Sequence, residues 1–316
     1  MTRLKEIANG VWPTMITPFT EDKQVDYNGL EQLIEWYISQ GVDGLFAVCQ
    51  SSEMFFLSLE ERVKMARFVK EKAGSRVPVI ASGHVSDDLE GQIEEIRQIA
   101  ATGIDAFVIV TNRFAKEEES DEVWISRAQT ILENVPGVSF GLYECPYPYK
   151  RLLSPQVLSW CASTGRFLFL KDTSCSETEI EAKLEAVKGS SLKLFNANTA
   201  TLLASLRLGA AGFSGVMANM HPDLYVWLTR NWSAEPQKAE TLQAFLSTAS
   251  LIELQIYPVN AKYYQQQLGL PIALTGRSKD ASTFTATRKL EVNQLAATEQ
   301  AIREHVSLPR PVYAKA

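Results

Sequence analysis

The stretch VPVIASGHVSDDLEGQIEEIRQIAATGIDAFVIV, residues 77–110, sets two short apolar runs, VPVIAS (77–82) and AFVIV (106–110), around an amphipathic segment. Short runs rich in β-branched residues read as strands buried on both faces. The segment between them, DLEGQIEEIRQIAATG (88–103), reads as a helix ending on the glycine that favours a helix C-terminus. Strand, helix and strand in that order make one βαβ unit.

The same alternation runs through most of the chain. GVWPTMIT (10–17), GLFAVC (44–49), VSFGLY (138–143), FLFLK (167–171), LKLF (192–195) and GFSGV (212–216) bring the strand count to eight. Helical stretches such as YNGLEQLIEWYISQG and SLEERVKMARFVKEKAG separate them. No glycine-rich dinucleotide fingerprint follows the first strand, so the alternation predicts an α/β fold of the (β/α)8 TIM-barrel type rather than a doubly wound sheet. Beyond residue 222 the strand signal stops. Residues 234–256 and 281–307 read as helices joined by YPVNAKYYQQQLGLPIALTGR. The expected organisation is a barrel over 1–222 and a C-terminal helical extension over 223–316, with the tail VSLPRPVYAKA loosely held.

Composition narrows the partners. The 316 residues carry a net charge of -6, and the basic residues are scattered, which gives no footprint for nucleic acid or an acidic membrane. No apolar run approaches the roughly 20 residues that span a bilayer. MTRLKEIANG lacks the apolar core of a secretory signal, so a cytoplasmic protein is expected. The four cysteines, Cys49, Cys145, Cys161 and Cys175, show no CxxC spacing, and the three histidines, His84, His221 and His305, no HExxH pattern. Neither points to a metal site.

In such a barrel the site lies at the C-terminal strand ends. Those ends carry Thr17, then Gln50, Ser51, Ser52 and Glu53, then His84, Tyr143 and Glu144, Lys171, and finally Ser214 and Gly215. Lys171 closes a run of four consecutive apolar residues. Burial favours the neutral form of an amine, and a neutral amine attacks ketones to form Schiff bases. Tyr143, at the end of the preceding strand, offers a phenol to relay the protons. The spacing alone equally allows a lysine that snorkels to solvent beside a core tyrosine.

These pieces resemble the superfamily of dihydrodipicolinate synthase and N-acetylneuraminate lyase, the Schiff-base-forming class I barrels. The resemblance runs through GVWPTMITPFTEDKQVDYNGLEQLIEWYISQGVDGLF, SSEMFFLSLEERVKMA, YECP, LKDTS and GAAGFSGVMAN, and so covers nearly the whole chain. It implies that Lys171 forms the Schiff base, that Tyr143 is the catalytic tyrosine and that Ser51 with neighbouring N–H groups holds a substrate carboxylate. It further implies that Ser214 and Gly215 position the substrate through backbone carbonyls, that no cofactor is needed, and that the protein is a homotetramer built as a dimer of dimers.

The departures are as informative. Where the family carries Gly-Ser/Thr-Thr-Gly-Glu, this chain reads CQSSE, 49–53, so both glycines are lost and Gln50 replaces a hydroxyl of the proton relay. A glutamine cannot pass a proton as a hydroxyl does; either Thr17 or water reroutes the relay, or Gln50 binds a substrate oxygen. Pro148 replaces the arginine with which the synthase branch grips its acceptor's carboxylate, a loss of a bidentate clamp. Glu144 stands where asparagine is common, as an acid, a ligand for hydroxyls or a structural group. Arg113 and Phe114 replace two tyrosines, and His84, where the family has glycine, either contacts substrate at the barrel mouth or faces solvent. The reading is a lyase acting on pyruvate or a related 2-oxo acid by aldol chemistry or dehydration. The other class it leaves open is a barrel that binds a 2-oxo acid without turning it over.

Overall fold

The apolar runs form eight parallel strands in a computed structural model of the chain, which describes residues 7–309. The first half comprises β1 (Gly10–Val11), α1 (Tyr27–Ser39), β2 (Leu45–Phe46), α2 (Leu59–Ala73), β3 (Val79–Ala81), α3 (Leu89–Ala100), β4 (Ala106–Val110) and α4 (Asp121–Asn134). The second half comprises β5 (Phe140–Tyr143), α5 (Pro155–Ser163), β6 (Phe167–Asp172), α6 (Glu177–Ala186), β7 (Lys193–Asn196), α7 (Leu202–Leu208), β8 (Gly212–Phe213) and α8 (Pro222–Asn231). Three further helices follow, α9 (Pro236–Ala249), α10 (Val259–Gln267) and α11 (Ala286–His305). The strands lie in the order β1-β8-β7-β6-β5-β4-β3-β2. A bridge between Thr14 and Phe46 joins the two ends, so the expected (β/α)8 barrel with its helical extension is the fold.

Side chains that alternate along a strand explain both layers. On β6, Phe169 and Lys171 share one face. Phe169 stacks on Phe195 at 4.5 Å and meets Trp12 and Phe46 at 5.7 and 6.2 Å, an aromatic plug one residue pair below Lys171. The helices begin where the sequence supplies caps, with Ser58 and Glu61 in a capping box at α2, Asp88 at α3 and Ser176 at α6.

Two expectations shift. The first strand is two residues long rather than eight, because Pro13 has no N–H to donate; Met15 resumes the pairing by donating to Phe46 O. The segment 257–277 contains α10, on which Asn260, Lys262 and Gln265 are fully buried alongside Val259, Ala261 and Tyr264, so its core face mixes polar with apolar groups. The eighth helix, α8, begins at Pro222, where the helical extension was expected to start, and packs on β1 and β8. Of the tail expected to be loose, Val306 is buried, and residues 310–316 lie outside the described residues. No described helix is long and apolar enough to cross a membrane.

Candidate active site

β5 and β6 pair so that Tyr143 lies beside Lys171 as the last rung of their ladder. The Lys171 ammonium sits 4.1 Å from the centre of the Tyr143 ring, and both residues are 4% exposed. Burial pulls the lysine below its ordinary value, against the opposing influence of Cys49, Cys145, Glu253 and Asp172. Burial likewise pushes the Tyr143 phenol well above its own. Burial thus shifts the amine toward its neutral form and keeps the phenol protonated.

The loop after β2 supplies the next layer. Tyr143 Oη donates to Gln50 Oε1 at 2.9 Å, and the Cys145 thiol approaches the same oxygen at 3.5 Å. Gln50 thus receives the phenolic proton's hydrogen bond and has no hydroxyl to pass it on. Ser51 Oγ donates to Thr14 Oγ1 at 3.1 Å. Ser51 and Thr14 also hydrogen-bond the Tyr257 hydroxyl, to which Asn219 Nδ2 donates at 3.0 Å. Among the described residues, the N–H groups of Gln50 and Ser51 donate to no backbone carbonyl. Hydroxyls and amides that donate to no backbone carbonyl suit a carboxylate.

Other expected site residues hold the scaffold. Ser52 Oγ accepts from Cys49 N and donates to Cys49 O, both at 2.7 Å, and so closes the loop that has lost its glycines. Glu53 takes the left-handed conformation at φ 62. Thr17 donates to Ser52 O at 2.8 Å, so Thr14, not Thr17, is the hydroxyl of the first strand that reaches the site. Ser214 Oγ donates to Trp12 O at 2.9 Å. A Cβ on Gly215 would stand 2.5 Å from Ala197 O, which explains the glycine.

His84 does not face solvent. It is fully buried between Phe107 and Phe114, its Nε2 accepts from Val110 N at 2.7 Å, and its Nδ1 faces Gln92 Oε1 at 3.1 Å. Those partners place the proton on Nδ1, and burial pushes the group down to about 3. Arg113 is engaged by Asp87 at 2.8 Å and by Val85 O. The Glu144 carboxylate lies on the outer side of the sheet, where it meets Lys183 at 2.6 Å and accepts from Leu153 N and Thr173 N. It faces away from the substrate side.

The sequence reading misses Tyr257 and Glu253. Glu253 lies on a 3₁₀ turn, Ser250–Leu254, and has no hydrogen-bond or ion-pair partner among the described residues. Burial pushes its carboxyl up, and Lys171 acts in the opposite sense. Both residues fall in segments that show no strand end, so only the packing of the extension over the barrel mouth brings them in.

A family model described as the dihydrodipicolinate synthetase family matches residues 8–296. A 4-hydroxy-tetrahydrodipicolinate synthase of Clostridium perfringens is 27% identical over 250 residues, 78% of this chain and 84% of that protein. Another from Coxiella burnetii is 28% identical over 217 residues, 69% and 72% of the two chains. Among solved structures, YagE of E. coli K12 in complex with pyruvate is similar at a TM-score of 0.82 and 24% identity, covering 93% of this chain and 98% of YagE.

Proposed function

The chain belongs to the dihydrodipicolinate synthetase family, and from that membership we propose that it is a Schiff-base lyase acting on pyruvate or a closely related 2-oxo acid. The observation that carries this reading is the buried Lys171, its amine shifted by burial toward the neutral form, set against the Tyr143 ring at the C-terminal end of β6. The neutral amine attacks C2 of the oxo acid, forming a C–N bond. The carbinolamine then loses its hydroxyl as water, with Tyr143 exchanging the protons. The resulting cationic imine accepts the electron pair released at C3 when a C–C or C–H bond breaks, and the enamine so formed supplies that pair when a new bond at C3 is made, which regenerates the imine. Ser51, Thr14, Tyr257 and the amides of Gln50 and Ser51 hold the carboxylate. YagE, solved with pyruvate, is consistent with that ligand class.

The other end of the substrate is set apart from that of a dihydrodipicolinate synthase. Pro148 stands in place of the arginine, and Glu253 adds an unpaired carboxylate on the side of Lys171. An anionic acceptor is repelled there, and a neutral, hydroxyl-bearing aldehyde or leaving group is favoured. By the same family reading the protein is cytoplasmic and assembles as a homotetramer, which sedimentation checks.

The test is to incubate the protein with pyruvate and borohydride and to map the reduced adduct by peptide mass spectrometry. An adduct on Lys171 that vanishes in Lys171→Ala supports the lyase. No adduct with pyruvate or longer 2-oxo acids sinks the reading. The locked hydrogen bond between Tyr143 and Gln50 favours one second reading, a barrel that binds the oxo acid without turning it over. In that case Lys171→Ala retains most of the ligand affinity.

A further inference from the structure

Behind the catalytic rung lies a second one. Tyr143 and Lys171 face the barrel interior, so the next residues, Glu144 and Asp172, face the helix layer. Lys183 of α6 reaches between them, 2.6 Å from Glu144 Oε1 and 2.6 Å from Asp172 Oδ2, and all three side chains are fully buried. We propose that Lys183 is a positioning residue that ties Glu144 to Asp172 and thereby fixes Tyr143 and Lys171 at their working separation. The inference rests on Lys171 being the Schiff-base lysine.

The ladder itself shows why a tie is needed. Tyr143 with Lys171 is the last paired rung between β5 and β6, and the next backbone bond, Glu144 N to Lys171 O, is stretched to 3.4 Å. Side chains take over from there. Glu144 Oε2 accepts from Thr173 N at 3.0 Å, Thr173 Oγ1 donates to Glu144 O at 2.7 Å, and Lys183 closes the arrangement from the helix. The capped start of α6 at Ser176, shortly after β6, sets the register that brings Lys183 inward.

Stability alone accounts poorly for this cluster. Two carboxylates share one ammonium in a dry site, and a packed apolar trio is often as stable or more so. Burial pushes Glu144 up, with Asp172 adding to it and Lys183 opposing. What the charges supply is direction, since reacting groups must be held within about 0.5 Å of their productive geometry and a 1 Å error can cost about a hundredfold in rate.

The experiment measures the rate of borohydride-trapped adduct formation on Lys171 against pyruvate concentration. Lys183→Met removes the tie. Glu144→Gln with Lys183→Met removes it while keeping the cluster's net charge, and leaves one buried carboxylate, Asp172, without its cation where the single change leaves two. Arg303→Met, which breaks a buried ion cluster with Asp223 and Glu299 far from the site, is the control for lost stability. In the folded Lys183 variants the maximal rate should fall about tenfold or more, with half-saturating pyruvate within about twofold, while Arg303→Met keeps the wild-type rate. Variants that trap pyruvate at the wild-type rate, or lose only what Arg303→Met loses, overturn the inference alone. A wild-type protein that forms no adduct overturns the Schiff-base reading on which it rests.

Discussion

Lys171 and His84 are both buried bases, and burial pushes both toward the neutral form with different consequences. For Lys171 the consequence is kinetic. The neutral fraction grows as pH rises through the folded-state value, which lies below the usual lysine value of about 10.4, so adduct formation should level off below that pH. A limb at or above the free-lysine value, read from trapping rates across pH, would contradict the desolvated amine. For His84 the consequence is stability. The folded protein holds it neutral down to about pH 3, whereas the unfolded chain protonates it near 6.5, so its contribution is complete above about 6.5 and is lost as pH falls from there toward 3. Lowering the pH from 7 to 5 should therefore cost wild type about 2 kcal/mol more than His84→Gln, measured by urea unfolding at both pH values. Equal losses would show that the buried imidazole is not the group responsible. The sequence placed Lys171, Tyr143, Gln50 and Ser51 at strand ends because each lies at or just past the end of an apolar run. It could not decide His84 or Glu144, since whether a strand-end side chain faces the cavity or the helix layer depends on strand alternation and on partners such as Gln92 and Lys183, 8 and 39 residues away.

Loops show how the extension belongs to the site. Glu53, in the loop after β2, accepts from Arg277 N at 2.7 Å and Ser278 N at 2.5 Å, and faces Lys262 of α10 at 3.7 Å. Burial pulls the Lys262 ammonium down to about 8, with Glu53 holding it up. Glu53→Ala would leave two N–H groups unsatisfied and a buried ammonium unpaired, and should destabilise the fold by about 3–5 kcal/mol in denaturant titrations. A loss below about 1 kcal/mol would mean that the extension is held by its apolar contacts alone. Strands β4 to β7 were legible because they are continuous apolar runs. Helix α10 was not, because its buried face carries Asn260, Lys262 and Gln265, whose polar atoms bond Ile252 O, Thr275 O and Asn219 O.

Closure of the barrel depends on two glycines. Gly10 and Gly212 face each other across the β1–β8 pair, and a Cβ on Gly212 would stand 1.8 Å from Gly10 O. Gly212→Ala should part the strands there and destabilise the fold by about 3 kcal/mol or more, visible as a lowered thermal midpoint. An unchanged midpoint would show that the seam has slack that the packing does not suggest. Period and length in the sequence were enough for the eight-stranded barrel, because buried parallel strands and amphipathic helices leave local patterns. The same local patterns brought Lys171 and Tyr143 to strand ends. Tertiary structure alone decided which hydroxyl Ser51 meets, why Glu144 turns toward Lys183, and that Tyr257 and Glu253 return from the extension to Ser51 and toward Lys171. Those relations join residues dozens to hundreds of positions apart, and their polar side chains follow partners in space, which no periodicity along the chain records.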